Sequence, residues 1–264
     1  MNHLPDVAIS YVKGSRARWQ FISQGATPAA HLFYIHLALD AGCRWIQLRL
    51  KEVDEPAIIR TGNAVQGLCQ AYGARFILND YAHLVTQVSA DGVHLGLDDL
   101  SVKRARQLLG SGYVIGGTAN TGMDVQARVT EEVDYIGLGP YRFTSTKKKL
   151  SPVLGLEGYR RILGDGSTRK TTPCPVFAIG GILPGDLPLL LNTAIDGVAI
   201  SGWLTRQIAL EAYQAASRAP LSLDTAIPVY HQWKSRNPEA IQRVFEQVKM
   251  LDALLNKGLA HISR

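Results

Sequence analysis

Eight short apolar runs, each followed by a segment with helical spacing, recur along this 264-residue chain, and that alternation limits what it can fold into. The runs are Trp19–Ser23, Trp45–Leu50, Arg75–Leu78, Gly92–Leu95, Tyr113–Gly117, Tyr135–Leu138, Val176–Ile179 and Gly197–Ile200. Most of them do not alternate strictly between apolar and polar, which suits strands buried on both faces. Between them lie helical patterns with clear punctuation. Thr27 and Pro28 form a cap and first-turn proline for a helix ending at Gly42, Asp54–Tyr72 is a longer helix closed by Gly73, and Ser101 caps a helix to Leu109. Shorter helices are expected over Tyr81–Val88, Met123–Thr130, Leu156–Leu163 and Pro184–Asn192. The alternation predicts an α/β fold, a (β/α)8 or TIM barrel, which takes about 200–250 residues as one domain. An open doubly wound sheet would carry a Gly-rich fingerprint after its first strand, and none follows Trp19–Ser23.

The barrel is expected to span residues 19–219, preceded by a loose arm over residues 1–18 and followed by a helical extension over 220–264. In that extension Asn237-Pro238 opens one amphipathic helix, with Ile241, Val244, Phe245, Val248, Leu251 and Leu255 on one face up to Gly258. Such a helix serves packing or oligomer contact, and a homodimer is the expected assembly.

Composition narrows the function. A 46% apolar, 19% charged chain is an ordinary globular protein, and a net charge of +6 fits a small anionic substrate. It does not fit nucleic acid, for which basic residues would be spread with interleaved aromatics rather than gathered in one loop. Cys43, Cys69 and Cys174 have neither metal nor redox spacing and read as core residues. No apolar run reaches the ~20 residues of a membrane span. The opening MNHLPDVAIS lacks a basic region followed by an apolar core, so a cytoplasmic protein is expected.

In a barrel of this type the active site lies at the carboxyl ends of the strands, and that rule sorts the polar residues. The second run delivers Gln47, Arg49 and Lys51, the third Asn79 and Asp80, the fourth Asp98 and Asp99, and Thr118 follows the fifth. After the sixth comes a loop with Arg142, the hydroxyls Thr144, Ser145 and Thr146, and the cations Lys147, Lys148 and Lys149. The last two runs end in Gly180-Gly181 and Ser201-Gly202, suited to holding a phosphate on bare backbone N–H groups. Asp80 and Asp99 on one rim repel unless a cation lies between them or each finds a donor, and Mg²⁺ with a diphosphate is the matching chemistry for the first; singly, each also reads as a helix cap. Lys51 lies too near Arg49 and Glu52 for the apolar pocket a Schiff-base lysine requires. His94 reads as a satisfied histidine inside the barrel, and His83 as a surface one.

The motifs, in order, are QLRLKE from Gln47, ILND from Ile77, DGVHLGLDD from Asp91, IGGTAN from Ile115, DYIGLGPYRFTSTK from Asp134, AIGGI from Ala178 and DGVAISG from Asp196. Over residues 19–204 the chain resembles the thiamine-phosphate synthase family. The resemblance implies an enzyme that joins the diphosphate of 4-amino-5-hydroxymethyl-2-methylpyrimidine to 4-methyl-5-(2-hydroxyethyl)thiazole phosphate, carboxylated in some members. Diphosphate leaves through a pyrimidinylmethyl cation, with Mg²⁺ as cofactor. It further implies that Gln47 meets the pyrimidine, that Arg49, Lys51, Asn79 and Lys147 hold the diphosphate, and that Asp80 and Asp99 bind the metal. Thr118 keeps the hydroxyl of the family's serine, and Thr144, Thr146 and the backbone of Gly181, Ile200 and Ser201 hold the thiazole phosphate.

Three positions depart from the family pattern: Leu97 stands for a glutamine, Asn120 for a histidine, and Tyr141-Arg142-Phe143 for Ile-Phe-Pro. The related thiazole tautomerase shares the barrel but works through a histidine where this chain has Thr118. A barrel that only binds a phosphorylated ligand would have lost Asp80, Asp99 or Lys147, all of which are present.

Overall fold

The computed structural model describes residues 17–143, 152–165, 172–206, 208 and 221–260. Eight parallel strands close into a barrel in sequence order, β1 pairing with β8. They are β1 Trp19–Ile22, β2 Trp45–Leu48, β3 Arg75–Asn79, β4 Gly92–Leu95, β5 Val114–Ala119, β6 Tyr135–Leu138, β7 Val176–Ile179 and β8 Gly197–Ile200. The (β/α)8 architecture expected from the sequence is the one observed. Two strand ends move. β2 stops at Leu48 because the N–H of Arg49 turns to the Ser23 hydroxyl at 3.0 Å. β5 runs two residues further than expected, so Thr118 lies within the strand.

The outer layer contains α1 Pro28–Asp40, α2 Glu55–Ala71, α3 Val102–Leu109, α4 Gly122–Thr130, α5 Gly155–Leu163, α6 Leu187–Leu190 and α7 Gly202–Thr205. Thr27, Asp54 and Ser101 cap α1, α2 and α3 through their side chains. The helix expected over Tyr81–Val88 is only a 3-10 turn at Ala82–Leu84. The one expected over Pro184–Asn192 is split into a 3-10 turn, Pro184–Asp186, and the single turn α6. Pro184 and Pro188, so close together, deny that segment the donors of a continuous helix.

The extension corrects the expectation of a single helix. α8 Leu223–Arg236 precedes α9 Pro238–Ala260. Ser222 and Thr225 form a capping box on α8, and Asn237-Pro238 breaks the two apart. Tyr230 and Trp233 of α8 are buried, their rings edge-on to Phe33 of α1 at 5.3 and 5.7 Å. Arg18, buried and donating to the Asp196 carbonyl at 2.8 Å, also reaches the Leu255 carbonyl of α9. The chain is therefore tied down from residue 17, and the arm expected over residues 1–18 otherwise falls outside the described residues. No helix among the described residues is long and apolar enough to cross a membrane.

The barrel interior is packed. Trp45, Tyr135 and Phe177 meet ring to ring at 5.0–5.9 Å, and since β2 lies opposite β6 this contact crosses the interior. Above them the ring of His94 is held at 3.0 Å on each side, by the hydroxyl of Tyr135 at Nδ1 and that of Thr118 at Nε2.

Candidate active site

The carboxyl ends of the strands bring most of the expected residues to one rim. On one side stand Arg49, Lys51, Asn79, Asp80, Asp99 and Thr118. Asp80 holds φ at 70°, a left-handed conformation rare outside glycine, directly after β3. Its carboxylate pairs with the Lys51 ammonium and hydrogen-bonds to Asp99. Burial and the Asp99 contact push Asp80 above the ordinary carboxylate range, against the pull of Lys51. Burial also pushes Asp99 up, but the bond with Asp80, the Gly96 N–H at 2.6 Å and Lys51 together hold it below that range. Of the two, Asp80 is therefore the one that takes up a proton first as pH falls. Burial lowers the Arg49 guanidinium, while Asp80 and Asp99 pull it upward.

Each carboxylate already has a donor, Lys51 for Asp80 and the Gly96 N–H for Asp99, and the hard oxygens of the neighbouring pair suit Mg²⁺. Among the described residues no group of three or more His, Cys, Asp or Glu gathers. A metal there fits as one completed by substrate phosphate oxygens and water, which is how Mg²⁺ is commonly held in diphosphate sites.

On the other side a cavity of about 630 Å³ opens between the ends of β1, β6, β7 and β8, with Arg49 on its wall toward the acidic pair. Gly180, Gly181, Ser201 and Gly202 line it. Gly180 and Gly181 have φ of 90° and 71°, and a Cβ on Gly181 would fall 2.4 Å from Cγ of Arg142. Arg142 lies over this loop, donating to the Gly181 carbonyl at 2.9 Å and forking onto both Asp186 oxygens at 2.6 and 2.8 Å. Bidentate pairing of this kind fixes orientation as well as charge.

Some expected residues lie elsewhere. Gln47 is buried inside the barrel, its amide donating to Gln20 at 2.9 Å. Ile200 is buried at the end of β8 and does not line the cavity. Asn120 turns its amide to the Ala119 and Gly139 carbonyls. Thr144, Ser145, Thr146, Lys147, Lys148 and Lys149 lie outside the described residues. Lys51 is half-exposed and paired with the Asp80 carboxylate, and His83 is exposed and paired with Glu55 at 2.9 Å. Sequence reasoning missed Gln24 and Arg206, which line the cavity from the ends of β1 and α7; neither belongs to a motif.

A family model described as thiamine monophosphate synthase matches residues 20–204. The chain belongs to that family. Curated thiamine-phosphate synthases of Flavobacterium psychrophilum and Flavobacterium johnsoniae are 47% and 49% identical to it, over 71% and 70% of this chain and 90% and 87% of theirs. Among solved structures, a thiamine phosphate pyrophosphorylase from Pyrococcus furiosus superposes with a TM-score of 0.59 at 23% identity, covering 88% of this chain and 97% of that one. That likeness concerns the fold. The matched span is the barrel of this chain. The helices α8 and α9 lie beyond it.

Proposed function

We propose that the thiamine-phosphate synthase activity of this family is carried out here at the rim just described, from a pyrimidine diphosphate and a thiazole phosphate. The observation that carries the reading is the Asp80–Asp99 pair, flanked by Lys51 and Arg49, beside a cavity walled by two glycine-bearing strand ends. Asp80 and Asp99 would hold Mg²⁺, which when bound neutralises charge on the leaving diphosphate. Arg49, Lys51 and Asn79, with Lys147, hold the same group and stabilise its charge as the carbon–oxygen bond breaks. The pyrimidinylmethyl cation so formed is captured by the thiazole nitrogen. Gly181, Ser201 and the Ile200 backbone, with Thr144 and Thr146, hold the thiazole phosphate at a fixed distance from it. Thr118, its hydroxyl bonded to His94, sets the pyrimidine end, with Gln47 buried in the barrel beneath it. A cytoplasmic setting belongs to the same reading and is supported by three free, buried cysteines. So does a homodimer, which sizing of the full chain tests; a monomer overturns it.

The deciding experiment measures diphosphate release from the pyrimidine diphosphate with and without thiazole phosphate and Mg²⁺. Release that needs all three, with thiamine phosphate as product, is the expected result. No release while thiazole phosphate still binds overturns the reading.

A further inference from the structure

Arg128 belongs to α4, on the outside of the barrel, yet it is buried. Its Nε donates to the Thr118 carbonyl of β5 at 3.0 Å, and its Nη2 to the carbonyl of Gly96, just past β4, at 2.9 Å. The remaining nitrogen meets Glu131 at 2.8 Å. A guanidinium this deep is tolerable only with its donors matched, and here two of the matches are strand ends that carry site residues. The backbone makes room for it. A Cβ on Gly117 would stand 2.7 Å from Cδ of Arg128, so glycine at that position is what seats the side chain.

Gly96 is held on both sides. Its carbonyl accepts from Arg128 while its N–H donates to the Asp99 carboxylate at 2.6 Å. Fixing that residue fixes where the Asp99 oxygens lie relative to Asp80. The same guanidinium fixes the β5 backbone at Thr118, whose hydroxyl faces His94.

We infer that Arg128 is a positioning residue for the diphosphate and metal half of the site, locking the ends of β4 and β5 so that Asp99 and Thr118 meet the substrate in register. The inference rests on the reading of Asp80 and Asp99 as metal ligands. Groups that orient ligands from behind in this way typically change affinity by about 10- to 100-fold when removed.

The test titrates the Mg²⁺–inorganic diphosphate complex into the full chain by calorimetry and, in parallel, measures KM for each substrate. Arg128→Met is expected to weaken binding of the complex by about 10-fold or more. KM for the pyrimidine diphosphate should rise and KM for the thiazole phosphate should stay within about twofold of wild type, as expected of coupling confined to residues in contact. Gly117→Ala, which displaces the same side chain, should act in the same direction. Arg128→Lys, which keeps the charge but reaches fewer acceptors, should fall between the two and decides the matter if Arg128→Met does not fold. Unchanged affinity in a folded Arg128 variant, or equal losses toward both substrates, overturns the inference. Asp99→Asn separates the two readings. If it binds the complex as wild type does, the metal reading itself fails. If it binds weakly while Arg128→Met binds normally, only the role of Arg128 fails.

Discussion

The carboxyl groups of Asp80 and Asp99, carried just past neighbouring strands, hydrogen-bond to each other across the rim. Beyond what Lys51 neutralises, the two groups repel whenever both are ionised, and a bound metal ion would relieve that. Asp99→Asn should therefore cut diphosphate release by about 100-fold or more at saturating Mg²⁺, the loss of a few kcal/mol of charge stabilisation. The thermal midpoint of the metal-free protein should not fall, because the substitution relieves a like-charge contact. A variant that keeps full activity would remove the metal from Asp99.

Gly181 combines φ of 71° with an Arg142 side chain where a Cβ would sit. Alanine there should raise KM for the thiazole phosphate by roughly 5- to 30-fold, from about 1–2 kcal/mol of left-handed strain alone. KM for the pyrimidine diphosphate should change far less. Steady-state kinetics with each substrate varied in turn would show the split.

His36 on α1 is buried against Tyr72, Tyr230 and His231, with Asp40 and Lys234 nearby, and burial holds its pKa down at about 4. The unfolded chain binds a proton at this site near pH 6.5, so between about 6.5 and 4 it holds more protons than the folded one. Stability is therefore complete above pH 6.5 and is lost as pH falls toward 4. Urea unfolding at pH 7 and pH 5 should differ by about 1–2 kcal/mol from this residue. His36→Gln should lose correspondingly less. An identical pH dependence in the variant would show that the imidazole is not responsible.

Trp233 joins α8 to α1 through Phe33, well outside the rim. Trp233→Ala should cost about 3–5 kcal/mol of stability, as for a buried aromatic. Diphosphate release per folded molecule at 25 °C should be unchanged. A fall in activity without a fall in thermal midpoint would give the extension a part in catalysis.

The barrel was legible because a strand buried on both faces must be apolar throughout, and the helix caps at Thr27, Asp54 and Ser101 are chemically explicit. The carboxylate pair was legible for a related reason: strand ends of a closed barrel converge, so Asp80 and Asp99 had to meet. α8 was missed because Pro228 lies inside it, and proline reads as a stop. Arg128 was missed because nothing local distinguishes an arginine on the inner face of a helix from one in water; its acceptors are backbone carbonyls 10 and 32 residues away. Gln24, past β1, and Arg206, at the end of α7, escaped because residues beyond an element's end follow no period, so their facing is decided only when β1 and α7 come together.

The ring contacts of Trp45, Tyr135 and Phe177 stopper the barrel beneath the site. Among the described residues these rings leave no passage through the interior, so in the proposed reaction reactants and products would use the carboxyl-end mouth. In the proposed reaction diphosphate would leave by the mouth through which the next molecules arrive, so a departing product and an arriving substrate would compete for one path.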